Sequence, residues 1–248
     1  EKEFSVSIPN NCEDYIKINT KKNVILKIGD NCKVKVLENT NDNEINLEVG
    51  KNSEIKYVTI YKKNSAKKAE IGEDSEIVWV DLCLEEVKAS TVTNLNGANS
   101  ICNSFGVIFG DEDKDFNIDS KVVHKGNKSK SNMFARIVLT GKSRALYNGL
   151  VRVDKNAVKC EGYQKSEAIL LSDDAYVEAI PNLEIENNDV KCTHGATISQ
   201  IDEDKLFYMT SRGIKEKDAK KVIIEGFFEP IIVNIEDEKL SNEMRETI

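Results

Sequence analysis

The sequence predicts a mainly β protein, a parallel β-helix of roughly 20 residues per coil, followed by a small α-helical region. Two observations carry that expectation. Three segments repeat one pattern, Ile28-Gly29-Asp30-Asn31-Cys32-Lys33-Val34-Lys35-Val36, Val49-Gly50-Lys51-Asn52-Ser53-Glu54-Ile55-Lys56-Tyr57-Val58 and Ile71-Gly72-Glu73-Asp74-Ser75-Glu76-Ile77-Val78-Trp79-Val80, with nearly even spacing between Gly29, Gly50 and Gly72. Past Thr197 the apolar period changes from about 2 to about 3.6.

Each repeat reads as a turn feeding a strand: an apolar residue, a glycine expected to take a positive φ, a polar pair, a small residue, then alternating apolar and polar positions. A fixed period with one strand-turn unit per repeat is a solenoid, because each coil buries its inward side chains only against its neighbours. Val34, Ile55 and Ile77 are the expected inward residues. A degraded form of the pattern returns at 153–160, 171–178 and 185–192, more closely spaced than the first three copies, which predicts shorter late coils. The stretch Asn94–Lys130 reads as less regular, and its acidic run Asp111-Glu112-Asp113-Lys114-Asp115 as a solvated corner.

The β-helix is therefore assigned to residues 1–197 and the helical region to 198–248. In that region Asp202 caps a helix carrying Leu206, Phe207 and Tyr208, and Gly213 stops it. A second helix is expected to stripe Ala219, Val222, Ile223 and Phe227 on one face and to end at Pro230, with Lys215 a poor N-cap. Residues 231–248 read as a third helical piece.

With 40% hydrophobic residues over 248 positions the chain can bury a substantial core. Its 43 acidic and 35 basic residues leave a formal charge of −8 spread along the chain, so neither nucleic acid nor an anionic membrane is an expected partner. No apolar run is long enough to span a bilayer and the start EKEFSVS lacks a signal-peptide core, which predicts a cytoplasmic protein. Six irregularly spaced cysteines read as reduced thiols.

Enzyme chemistry is not legible. No Gly-x-x-x-x-Gly-Lys-Ser/Thr loop is present, so the chain is not expected to hydrolyse ATP, and two histidines with no Gly-x-Ser-x-Gly leave no hydrolase machinery. The residues with chemical promise are the pair Cys192 and His194, two positions apart at a strand end and able to aim at one point as ligands for iron or zinc, joined by Cys160, Glu161 and Glu167 on late coils. Cys160 and Cys192 each close a Lys-Cys unit, so stacking is expected to approximate them. Lys142 would lower the pKa of a neighbouring thiol, which makes Cys160 and Lys142 a candidate sulfur-handling pair.

The string from Val190 to Phe228 resembles the C-terminal region of the SufB/SufD family, scaffold subunits of the SUF iron–sulfur cluster assembly machinery. The motifs are His194-Gly195-Ala196-Thr197, Leu206-Phe207-Tyr208, Arg212-Gly213-Ile214, Asp218-Ala219 and Gly226-Phe227, with Arg144-Ala145-Leu146-Tyr147-Asn148-Gly149-Leu150 and His124 upstream. The resemblance implies a right-handed parallel β-helix and a non-enzymatic scaffold carrying a transient iron–sulfur cluster. It also implies two partners, a SufC-type ABC ATPase and a second scaffold subunit, either another copy or a paralogue. In SufB-type members a cysteine in the coil before the histidine turn receives sulfur and a Glu flanks the histidine. The matching positions here are Ser166 and Gly195, so the chain looks closer to the SufD type, whose histidine is implicated in iron acquisition at the interface between scaffold subunits. By that match His194 leads and Cys192 follows. The implied ATPase docking residues are Leu206, Phe207, Tyr208, Arg212, Ile214, Val222 and Phe227. The alternative is a purely structural β-helix that recruits the ATPase and contributes no iron or sulfur ligand.

Overall fold

The computed structural model describes residues 3–39, 42–235 and 238–247. Eight coils, each of two strands, wind into two parallel sheets. The first four coils are β1 (Glu3–Ile8) with β2 (Glu13–Ile18), β3 (Asn23–Ile28) with β4 (Lys33–Asn39), β5 (Asn43–Val49) with β6 (Glu54–Tyr61), and β7 (Ser65–Ile71) with β8 (Glu76–Cys83). The next four are β9 (Val87–Leu95) with β10 (Ile101–Gly110), β11 (Asp115–His124) with β12 (Lys130–Leu139), β13 (Arg144–Val153) with β14 (Glu161–Leu170), and β15 (Tyr176–Ile185) with β16 (Lys191–Gln200). Odd strands form one sheet and even strands the other, each in sequence order, so the parallel β-helix read from the repeats is the observed fold. The last strand runs on to Gln200, past the expected boundary at Thr197.

Coil length departs from expectation. In the first coils Glu3 pairs with Asn23, whereas further along Ile101 pairs with Lys130 and Arg144 with Tyr176, so the step from one coil to the next widens. Late coils are longer, not shorter. The segments at 153–160 and 171–178 lie at opposite corners of one coil, so the two short intervals in the degraded pattern together make a single turn of the solenoid. The stretch expected to be irregular is likewise built on two regular strands, β10 and β11, joined by the acidic corner, where Lys114 pairs with Asp111 at 2.8 Å.

The turn glycines serve close approach rather than a positive φ. A Cβ on Gly50 would fall 2.3 Å from Asp30 Oδ1 and 2.7 Å from the Gly29 carbonyl carbon, and one on Gly72 2.4 Å from the Gly50 oxygen. The left-handed residue is two positions on, at Asn31, Asn52, Asp74 and Asn99, where asparagine and aspartate tolerate that conformation best after glycine. The small residue that follows, Ser53, Ser75, Ser100 or Ser129, returns its hydroxyl to a turn carbonyl.

Val34, Ile55 and Ile77 are buried in one inward column, as expected. The lumen also holds a polar cluster that the repeats did not announce. Lys67 is buried, pairs with Asp81, donates to Thr59 Oγ1 at 2.8 Å and lies 4.5 Å from the Trp79 ring centroid. Tyr57 donates to Glu38 at 2.8 Å, and burial pushes the Glu38 carboxyl up against the opposing pull of Lys67. Strict alternation along Ser65-Ala66-Lys67-Lys68-Ala69-Glu70-Ile71 places Lys67 inward, so this signal was available in the sequence.

Three helices follow: α1 (Glu203–Ser211), α2 (Glu216–Ile232) and α3 (Glu238–Thr247). Asp202 accepts from Lys205 N and caps α1, Gly213 with φ +89° follows its end, and Lys215 caps α2 with no side-chain bond. The expected stripe of α2 is rotated. Ala219, Ile224, Phe228, Ile231 and Ile232 are buried, Val222 faces solvent, and Pro230 lies inside the helix rather than ending it. The reason is tertiary: α2 lays Ile224, Phe228, Ile231 and Ile232 on the outer face of the even sheet, against Val58, Val80, Val107 and Val138. Ile248 lies outside the described residues. No helix among the described residues is long and apolar enough to cross a membrane.

Candidate functional site

Alternation on the even strands sends positions 192 and 194 into the lumen. Cys192 pairs with Gly162 and continues the column that runs back through Ser131, Cys102, Ile77, Ile55 and Val34. His194 pairs with Gln164 and continues the column through Met133, Ser104, Trp79 and Tyr57. In every one of these earlier coils the columns are buried. On β16, an edge strand with no further coil above it among the described residues, Cys192 is half-buried and His194 exposed. The solenoid thus ends in an open mouth bearing a thiol and an imidazole on the same face of one strand.

Gly162 makes room for the thiol, since a Cβ there would stand 3.2 Å from Cys192 Sγ and 2.8 Å from Val151 Cγ1. Burial pushes the Cys192 thiol up, a backbone hydrogen bond with Gly162 works against that, and Cys160 adds to it. Cys160 and Cys192 do pack in one cluster, with Val153, Ala157 and Val190.

Cys160 nevertheless occupies the corner position held by serine in the four preceding coils and by Cys12 and Cys32 in the first two. Lys191 N donates to its carbonyl as Glu161 N does to that of Ser129, and its thiol points at the Gly126 carbonyl at 3.5 Å. Next to it, Ser129 Oγ lies 3.4 Å from Cys160 Sγ and 2.8 Å from His124 Nδ1, while His124 Nε2 meets Ser131 Oγ at 2.8 Å. His124 is fully buried, and burial pulls its pKa down to about 4, so its ring is neutral and holds this corner together.

The remaining predicted ligands do not converge on the mouth. Glu161 and Glu167 sit at odd positions of β14 and face outward. Glu161 is 3.6 Å from Lys130, and Glu167 is paired with Lys165 at 2.6 Å and Arg136 at 3.2 Å, which hold its carboxyl below the ordinary range despite partial burial. Lys142 is exposed on the corner between β12 and β13, at the opposite edge of the coil from Cys160, so the expected sulfur-handling pair does not form. Among the described residues no group of three or more His, Cys, Asp or Glu side chains is placed to hold a metal ion.

Near the mouth, Gln164 carried no signal in composition or motif, and Ser166 stood out only as the position matching the sulfur-accepting cysteine of SufB-type members. Gln164 and Ser166 point into the lumen one coil below His194 and Ala196; both are 1% exposed, and neither amide atom of Gln164 nor Ser166 Oγ has a hydrogen-bond partner.

The predicted docking residues divide in two. Leu206 is buried, and Phe227 is half-buried beneath Arg136, whose guanidinium stacks on its ring at 4.9 Å and donates to its carbonyl. Phe207, Tyr208 and Val222 are 73%, 61% and 51% exposed, Ile214 is also exposed, and Arg212 lies over the Tyr208 ring at 5.3 Å.

The family model described as SUF system FeS cluster assembly, SufBD core domain matches residues 13–227. The chain is 32% identical over 158 residues to the iron–sulfur cluster assembly protein SufD of Escherichia coli, covering 64% of this chain and 37% of that protein. It is 28% identical over 163 residues to SufD of Bacillus subtilis, covering 65% and 37%, and 29% identical over 212 residues to a chloroplastic SufBD family protein of Arabidopsis thaliana, covering 78% and 38%. It therefore spans less than two fifths of these relatives' length. With most of its residues inside the family core and SufD among its relatives, this chain belongs to the SufB/SufD family of the SUF iron–sulfur assembly system and is SufD-like.

Proposed function

We propose that this chain is a cytoplasmic, non-enzymatic scaffold subunit in which the C-terminal mouth of the β-helix meets a second scaffold subunit and holds iron or a nascent iron–sulfur cluster as cargo. The observation that carries this reading is the placement of Cys192 and His194 together on the inward face of the uncovered coil. Two soft-to-borderline donors suit iron but do not complete its coordination, and no third donor of this chain joins them among the described residues. A second subunit, a copy or a paralogue, would supply the rest and cover the edge of β15 and β16, which is otherwise open to non-specific pairing.

The ABC-type ATPase SufC docks, in this reading, on the exposed face of the α1–α2 hairpin. Phe207, Tyr208, Ile214 and Val222 are exposed although the hairpin closes on Leu206 and Ala219, and aromatic anchors of this kind dominate interface energies. Beside them a cleft of about 600 Å³ opens between α2 and the ends of β14 and β16, lined by Arg136, Glu167, Thr197, Asp202 and Val222. Phe207→Ala is expected to weaken ATPase binding by roughly 2 kcal/mol, about thirtyfold, with thermal stability unchanged. A pull-down by the ATPase that survives this change would move the docking site elsewhere.

Anaerobic reconstitution with iron and sulfide in the presence of the ATPase and second scaffold tests the mouth. Cluster absorption lost on His194→Ala, with assembly of the subunits intact, supports the reading. The competing reading, a subunit that recruits the ATPase and supplies no ligand, is favoured by the absence of a complete donor set among the described residues and predicts full loading in His194→Ala.

A further inference from the structure

Polar side chains on successive coils of this solenoid pair along their columns. Asn31 donates to Asn11 at 3.1 Å, Asn99 to Asp74 at 2.8 Å, Asn132 to Asn103 at 2.8 Å, Asn148 to Asp119 at 3.0 Å and Asn182 to Asn148 at 2.9 Å. The cause is geometric: parallel in-register strands about 4.8 Å apart hold matching side chains side by side, within reach of one hydrogen bond. Gln164 and His194 are also register partners, and they break this rule. The amide of Gln164 is buried with both its donor and its acceptor unpaired, while the imidazole of the residue above it is exposed.

The amide has been given space. A Cβ on Gly149, across the lumen on β13, would fall 1.8 Å from Gln164 Nε2, so the glutamine extends only because position 149 carries no side chain. A buried carboxamide with no partner is unfavourable, and a leucine of similar length would avoid the penalty. The polar side chain stacked on Gln164 by strand register is His194. An imidazole that ligates a metal through one nitrogen needs an acceptor for the N–H on the other, and that acceptor fixes both tautomer and ring orientation.

We propose that Gln164 is a positioning residue for His194: its Oε1 accepts the ring N–H that turns toward the lumen, leaving the other nitrogen as a lone-pair donor directed out of the mouth. This inference rests on the proposed function for its purpose, but not for its test. Ser166, two positions along the same inward face and equally unpartnered, offers its hydroxyl to the same polar space.

The test uses the full chain, free of metal, with nitrogen-15-labelled histidine. His194 should show one dominant neutral tautomer in the wild type, a mixture in Gln164→Leu, and a single tautomer again in Gln164→Glu, whose carboxyl oxygen can accept the same bond. His124, on β11 in the other sheet, serves as the unaffected control in each spectrum. Gln164→Leu is expected to fold, since it removes an unpaired buried amide, and to weaken iron(II) binding by the assembled scaffold about tenfold or more. Identical His194 ring signals in wild type and Gln164→Leu would overturn the assignment. A tautomer that responds to position 164 in a scaffold that never takes up iron would instead retain this contact and remove the function proposed for the mouth.

Discussion

The middle coils and the terminal coil place side chains in the same columns and use them for opposite ends. Ile77 and Trp79 on β8 are sealed above and below by neighbouring coils and have no contact with water. Cys192 and His194 on β16 stand in those same two columns, three coils later than Cys102 and Ser104, and are open on one side. A solenoid column is a core wherever it is covered and a surface where the stack stops. Candidate chemistry at the end of the stack therefore needs no departure from the fold, only a change of residue type at inward positions.

The largest expected effect tests the covered half of that contrast. Ile77→Asp would put an unpaired carboxylate between two apolar neighbours, Ile55 and Cys102, and should lower unfolding free energy by about 4 kcal/mol or more. Denaturant melts showing a loss under about 1 kcal/mol would mean that the column is not sealed. Lys67→Met comes next: it strands Asp81 and removes the cation from the Trp79 ring, at a cost of roughly 3 kcal/mol. A variant as stable as wild type would show the ion pair to be replaceable by apolar packing.

A pH series sharpens the same comparison at the Cys160 corner. The folded His124 has its pKa drawn down by burial to about 4, whereas an unfolded histidine titrates near 6.5. Between those values the unfolded chain binds a proton that the fold refuses. The stability contribution is therefore complete above about pH 6.5, falls as pH drops, and is fully lost near pH 4, on the order of 3 kcal/mol in all. Glu38, whose carboxyl is pushed up by burial, acts in the opposite sense as pH rises through its folded value, so the reading is the difference between wild type and His124→Gln. Parallel pH profiles for the two would remove His124 as the cause.

The smallest effect belongs to the open coil. Ile198→Ala, at an inward position left 49% exposed, should cost well under about 1 kcal/mol in the isolated chain, against about 3 kcal/mol for the covered Ile137→Ala in the same column. Equal losses would imply that the mouth is already closed.

Much of this was readable one residue at a time. The existence of a corner before each strand, the inward Val34, Ile55 and Ile77, the cap at Asp202 and the shared face of Cys192 and His194 all follow from local spacing, whereas the left-handed turn proved to belong to the asparagine or aspartate rather than the glycine. Parity also excludes Glu161 and Glu167 from the face of Cys160, since odd positions of β14 point away from the lumen, although residue chemistry had grouped them.

What the sequence by itself determined is periodicity, because alternation along a strand and the demands of a tight corner act over a short span of chain. Only the tertiary structure decided which corners stack. Coil length grows along the chain, from the step that pairs Glu3 with Asn23 to the one that pairs Arg144 with Tyr176. A repeat read locally therefore cannot say that positions 160 and 171 lie at opposite edges, or that Lys142 stands at the other edge of the coil from Cys160. The same holds for α2, whose buried stripe was turned by the outer face of the even sheet rather than by its own pattern, and for Gln164, whose missing partner appears only when Gly149 and His194 are brought to it from other strands.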